Sequence, residues 1–184
     1  MRETALHSLG MLGLENSRSS IKLIQKLFLD PDPDVRAMAA WTIGRFGEPC
    51  LNDAIFEGCL KLLKDNFWKV RTSVCVTIGC LGPEAIEESL TQLLDALKTG
   101  AVNRSIVCET IIKMGTNGEK ILVEILKRMR IKDAKLVCPI IKSLELADIY
   151  SPTIDFVVEE LINNTKSAHS TVRSRSLSTL LVLK

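Results

Sequence analysis

Apolar and small residues recur at fixed distances from a short series of anchor positions. After Arg36, itself preceded by Val35, they stand 3, 4, 7, 10 and 11 positions on, at Ala39, Ala40, Ile43, Phe46 and Gly47. Val70-Arg71 leads in the same way to Val74, Cys75, Ile78, Leu81 and Gly82. Arg104 leads to Val107, Cys108, Ile111, Met114 and Gly115, and Arg2 to Ala5, Leu6, Leu9, Leu12 and Gly13. Two weaker copies follow: Leu136-Val137 leads to Ile140, Ile141, Leu144 and Ala147, and Val172-Arg173 to Ser176, Leu177, Leu180 and Leu183. The anchors at 2, 36, 71, 104, 137 and 173 are 34, 35, 33, 33 and 36 residues apart, so the sequence is an internal repeat.

Those offsets are the buried stripe of an amphipathic helix, and a glycine at the end of the stripe is a helix stop. Each copy is therefore predicted to end in an inner helix of about 14 residues. Second apolar-periodic stretches lie between them, at Ile21 to Leu29, Ile55 to Leu63, Leu90 to Leu97, Ile121 to Met129 and Ile154 to Ile162, and predict the outer helices. In the second copy Asp30-Pro31-Asp32-Pro33-Asp34 stops one helix and offers an acceptor to cap the next. Asp65 stands six residues before Arg71, as Asp30 does before Arg36. A two-helix unit of this length cannot bury its apolar face alone, so the copies must stack. The fold expected is all-α, an α-solenoid of about six helical hairpins forming one domain over 1–184. Its repeats run roughly over 1–14 (partial), 18–47, 51–82, 84–115, 117–148 and 152–184.

Residues 30–47, Asp-Pro-Asp-Pro-Asp-Val-Arg-Ala-Met-Ala-Ala-Trp-Thr-Ile-Gly-Arg-Phe-Gly, resemble a HEAT repeat, and more narrowly the short repeats of the phycocyanobilin-lyase type. Residues 65–82 are similar, and the resemblance runs along the whole sequence, weakening from residue 132. It implies a polar ladder between adjacent repeats, carried here by Asp30, Arg36, Asp65 and Arg71, with Arg2, Arg104 and Arg173 matching only the arginine half. Both ends of the sequence fall inside inner helices, where a solenoid ordinarily has polar capping repeats. A fragment of a longer array is expected.

Composition narrows the function. With 24 Lys and Arg against 22 Asp and Glu, the protein lacks the strongly basic field of an obligate nucleic-acid binder. Its six cysteines sit inside apolar periodic segments with no secretory signal before them, which points to reduced thiols and a cytoplasmic location. No apolar run is long enough to span a bilayer, so no membrane role is expected.

The candidate chemistry is sparse. The two histidines, His7 and His169, have no carboxylate at helical spacing that would build a metal or acid–base site. The His-Glu pairs of the iron-dependent hydroxylase built from similar repeats are absent here. No catalytic group, metal or cofactor is expected, and the protein is read as a non-enzyme; a non-catalytic or lyase-like subunit of an enzyme complex is an alternative. Gly44-Arg45-Phe46-Gly47 and Gly79-Cys80-Leu81-Gly82 match a GxxG nucleic-acid loop by letter, but the repeat places them at helix ends. Lys127, Arg128, Arg130, Lys132 and Lys135 form a basic run, a solvated helix end or a contact for an acidic partner.

The face of each inner helix opposite its stripe, at offsets 2, 5 and 9, is more informative. It carries apolar residues and cations, with Glu109 its one carboxylate. Such a face suits an acidic or amphipathic segment of a protein partner, bound by Met38, Trp41, Arg45, Val76, Ile106, Lys113, Lys142 and Leu146. A non-enzymatic scaffold is the leading expectation. The second is a helical-repeat nucleic-acid binder with Trp41 or Trp68 near bases and the basic run on phosphates.

Overall fold

The computed structural model describes residues 1–128, 134–146 and 154–182. These are helical in register with the repeat, and no strand occurs among them. Inner helices are α1 (Arg2–Leu12), α4 (Pro33–Phe46), α6 (Trp68–Cys80), α9 (Arg104–Ile112), α11 (Ala134–Leu146) and α13 (Ser170–Val182). Outer helices are α3 (Ile21–Lys26, prolonged by a 3-10 turn Leu27–Leu29), α5 (Asp53–Leu62), α8 (Leu90–Thr99), α10 (Thr116–Arg128) and α12 (Ile154–Asn164). Short α2 (Leu14–Ser17) and α7 (Pro83–Glu88) are joining helices that the periodicity did not anticipate. The described residues form two compact units, Met1–Thr110 and Ile111–Lys184. No helix among them is long and apolar enough to cross a membrane.

Local chemistry accounts for the helix boundaries. The side chain of Asp32 accepts the Asp34 N–H at 3.0 Å, and Pro33 takes the first helical position of α4, where its missing N–H costs nothing. Asn52 caps α5 through the Ile55 N–H. At offset 11 the backbone turns on Gly13, Gly47, Gly82 and Gly115, with φ of 78, 70, 104 and 68°. An L side chain is strained there, which is why the stop is glycine in all four strong copies.

Two lengths depart from expectation. α9 has nine residues, ending at Ile112, and α1 has eleven, where about 14 were expected. In α9 the backbone leaves the helix at the turn Lys113–Gly115, two positions earlier than the periodic stripe implies.

In the first unit the core lies between inner and outer layers. α4 packs on α1 and α6, and Val35, Ala39, Ala40, Ile43 and Phe46 are all buried. The stripe proves to be two half-stripes. Offset 3 is buried in α4, α6 and α9 but exposed in α1, at Ala5; offset 4 is buried in α1, α4 and α6 but exposed in α13, at Leu177. Offset 3 thus faces the preceding inner helix and offset 4 the following one. Leu12, at offset 10, is exposed for the same reason as Ala5: no helix of the described residues lies on that side of α1. In the second unit α13 packs against both α11 and α12, and Val137, Ile140, Ile141 and Val172 are buried.

Candidate interaction surface and the ladder beneath it

Two arrays of polar contacts fix the inner helices of the first unit to one another. The first is at the turns. Arg36 grips Asp65 of the next copy with two parallel bonds, Nε to Oδ2 at 2.8 Å and Nη2 to Oδ1 at 3.0 Å. Its Nη1 donates to the carbonyls of Asp30 and Pro31 in its own turn, and its guanidinium lies over the Phe67 ring. Side-chain exposure is 13% for Arg36 and 9% for Asp65, so solvent screens this pair little. Burial by itself would push the Asp65 carboxyl up. Hydrogen bonds from Arg36 and the Phe67 N–H, with the charges of Arg36 and Arg71, outweigh it and hold the group below its ordinary value. Arg36 is raised in turn, first by its bond to Asp65.

The other arginines vary on this. Arg2 reaches Asp30 at 3.2 Å, and Arg71 donates Nε to the Ala101 carbonyl and Nη1 to those of Asp65 and Asn66. Arg104 donates to the carbonyls of Leu97 and Lys98, and Arg173 to those of Ser167 and Ala168.

The second array was missed by sequence reasoning. Thr42 donates to the Leu6 carbonyl at 3.0 Å, Thr77 to Ala40 at 2.8 Å and Thr110 to Cys75 at 3.2 Å. Each is a hydroxyl at offset 6 meeting the offset-4 carbonyl of the preceding inner helix, and all three threonines are buried. The signal was present, since offset 6 holds Ser8, Thr42, Thr77, Thr110, Ser143 and Thr179. A search for apolar periodicity passes over hydroxyls. Glycine at offset 8 accompanies them: a Cβ on Gly44 would lie 3.0 Å from the Thr77 hydroxyl and 3.2 Å from its Cα.

Above these arrays lies the face at offsets 2, 5 and 9. On α1, α4 and α6 it holds Thr4, His7, Met11, Met38, Trp41, Arg45, Ser73, Val76 and Cys80; none is buried and none is acidic. Arg45 and Val76 are exposed, while Met38 and, on α9, Ile106 are half-buried. Trp41 has a structural role: its ring stacks on His7 at 5.3 Å with 5° between planes, Arg45 lies 5.9 Å from its centre, and Gly10 leaves the room it fills. In the second unit Lys142 and Leu146 are exposed on α11. Lys113 stands in the turn after α9, off the helical face on which it was expected, because that helix stops at Ile112. The centre of the basic run, residues 129–133, lies outside the described residues, and its flanking side chains are likewise not described.

Among the described residues no three His, Cys, Asp or Glu side chains converge as a metal site would require. His7 and His169 are both exposed. None of the six cysteines forms a disulfide, and burial pushes the Cys50 thiol up to about 11 and the Cys59 thiol to about 12. Ser176 is fully buried, so the Arg173-Ser174-Arg175-Ser176 sequence does not present that hydroxyl to a kinase.

Among solved structures, a designed armadillo repeat protein superposes with a TM-score of 0.53 at 16% identity, over 99% of this chain and 93% of that one. An engineered protein from a structural genomics consortium gives 0.43 at 18% identity, covering 90% of this chain and 79% of its own. The search of curated proteins gives no match. The family profile for HEAT repeats matches residues 20–111, half of the sequence and the part that holds the Arg36–Asp65 pair and the Thr77 and Thr110 contacts. The repeated inner and outer helices, with that match, place the protein in the HEAT-repeat family, as an α-solenoid of HEAT-like hairpins.

Proposed function

We propose that the protein is a non-enzymatic scaffold for protein–protein interaction, and that the displayed faces of α1, α4, α6 and α9 receive an acidic or amphipathic segment of a protein partner. One observation carries this reading: a solvated helix face ordinarily mixes both charge signs, yet these positions combine Met11, Met38, Trp41, Val76 and Ile106 with Arg45 and hold a single carboxylate, Glu109. Apolar anchors beside an arginine are the residue types on which binding energy concentrates. Lys142 and Leu146 give the second unit a surface of the same chemistry.

Trp41 is a poor probe of this surface, because its removal also empties the space above Gly10. Arg45 and Val76 are better, since both are exposed. Binding of an acidic amphipathic peptide, followed by fluorescence anisotropy, is expected to weaken by about tenfold or more in the Arg45→Glu, Val76→Glu double variant, roughly 1.4 kcal/mol, with thermal unfolding unchanged. Equal affinity of the variant and the parent protein would remove this face as the site.

A further inference from the structure

The turn ladder has a gap at its third arginine. Arg2 meets Asp30 and Arg36 is forked on Asp65, but Lys98 occupies the corresponding place in the copy after Arg71, six residues before its anchor. Arg71 spends Nε on the Ala101 carbonyl at 2.7 Å and Nη1 on the carbonyls of Asp65 and Asn66 at 2.6 and 3.0 Å. No carboxylate of the described residues is within ion-pair distance of it, and its Nη2, the atom that in Arg36 holds Asp65, makes no hydrogen bond there.

Arg71 opens instead on a cavity of about 590 Å³, lined also by Lys64, Asn66, Thr91, Gln92 and Asp95. Its free cations are Arg71 and Lys64, set against Asp95; Asp65 in the same wall is neutralised by Arg36. Gln92 contributes to the same wall, with its Oε1 turned inward and buried. A second cavity of about 250 Å³ shares Lys64 and Gln92 and extends past Leu60, giving room for a bound backbone on one side of the first.

We infer that this cavity receives a carboxylate borne by a protein segment, either an Asp or Glu side group or a terminal α-carboxylate, which completes the third rung from outside as Asp65 completes the second from within. The carboxylate takes Arg71 Nη2 and Lys64 Nζ. The site lies at the turns between the second and third strong copies after α1, so it does not depend on the inner-helix face.

The test is an amide NMR titration of the 184-residue protein with three probes: N-acetylaspartate N-methylamide, N-acetylglycine as a mimic of a terminal carboxylate, and the neutral N-acetylasparagine N-methylamide. At least one carboxylate probe is expected to give saturable shifts at Asn66, Thr91, Gln92 and Ala101, with the asparagine probe weaker by about tenfold or more. Whichever carboxylate binds identifies the source. Ala101→Asp places a carboxylate at the cavity wall and is expected to abolish probe binding with the spectrum otherwise retained. Arg71→Lys keeps the charge and loses the planar fork, so affinity falls by roughly fivefold. Equal affinity for asparagine and aspartate, no saturable shift with either carboxylate, or undiminished binding in both variants would overturn the inference.

Discussion

Asp65 serves three groups at once: it accepts both arms of Arg36, caps the Phe67 N–H at 2.9 Å, and gives its backbone carbonyl to Arg71. Asp65→Asn keeps the shape and removes the charge, leaving Arg36 part-buried and unpaired, at an expected cost of about 2–3 kcal/mol at neutral pH. Because the folded carboxyl titrates below its ordinary 3.8, its stabilisation is complete above that value and is lost as pH falls through the lower, folded one. The gap in unfolding free energy between parent and Asp65→Asn is therefore expected to close under acid, below about pH 4, measured by denaturant titration along a pH series. At this scale the sequence was only partly legible. The resemblance to HEAT repeats implied a ladder role for Asp65 and Arg36, but that Arg71 would turn to a backbone carbonyl depends on the path of the 98–103 turn, which no residue type encodes by itself.

Helices in contact are set by what their facing residues lack as much as by what they carry. Gly44 has no Cβ, so α6 approaches α4 closely enough for Thr77 to reach the Ala40 carbonyl, while the same hydroxyl bonds back to the Ser73 carbonyl of its own helix. A methyl at Gly44 would gain about 1 kcal/mol of helix propensity. It would also press on the Thr77 backbone, and overpacking of this kind costs typically about 1–3 kcal/mol. Gly44→Ala is accordingly expected to lower stability by about 1 kcal/mol in thermal melts, and an unchanged or higher melting temperature would mean that the two helices yield at this contact. Apolar offsets sufficed to find these helices, since burial of Ile43 and Ile78 is dictated by periodicity. They could not separate offset 3 from offset 4, because a helix with neighbours on both sides buries both, and only α1 and α13, with Ala5 and Leu177 exposed, tell the sides apart.

Across the whole molecule, access to the thiols follows from where the repeat puts them. Cys50, Cys59, Cys75 and Cys108 are in the core, Cys138 is half-buried, and Cys80 is exposed at offset 9, on the face proposed for a partner. The thiolate is the nucleophile, and burial leaves almost none of it at Cys50 or Cys59 near pH 8. Iodoacetamide under native conditions is expected to modify Cys80 first and Cys50 and Cys59 only as fast as the protein opens; peptide mass mapping over time would check the order. Early modification of Cys59 would mean that the first unit opens far more readily than its packing implies. The family and the order of helices were legible at this scale because they repeat. The surface for a partner was harder to read, since a residue such as Trp41 can stand at a displayed offset and still hold two repeats together.

The positive-φ glycines at offset 11, Gly13, Gly47, Gly82 and Gly115, close the strong copies at one phase, and that makes them natural splice points. Excising residues 48–82 joins Gly47 directly to Pro83 and brings a helix stop to a helix start in the phase each already has. Thr110 would then face the Ala40 carbonyl in place of the one on Cys75, a like-for-like exchange of donor and acceptor. A protein built this way can gain or lose length in whole copies, by duplication or deletion of its coding segment, without inventing a new junction.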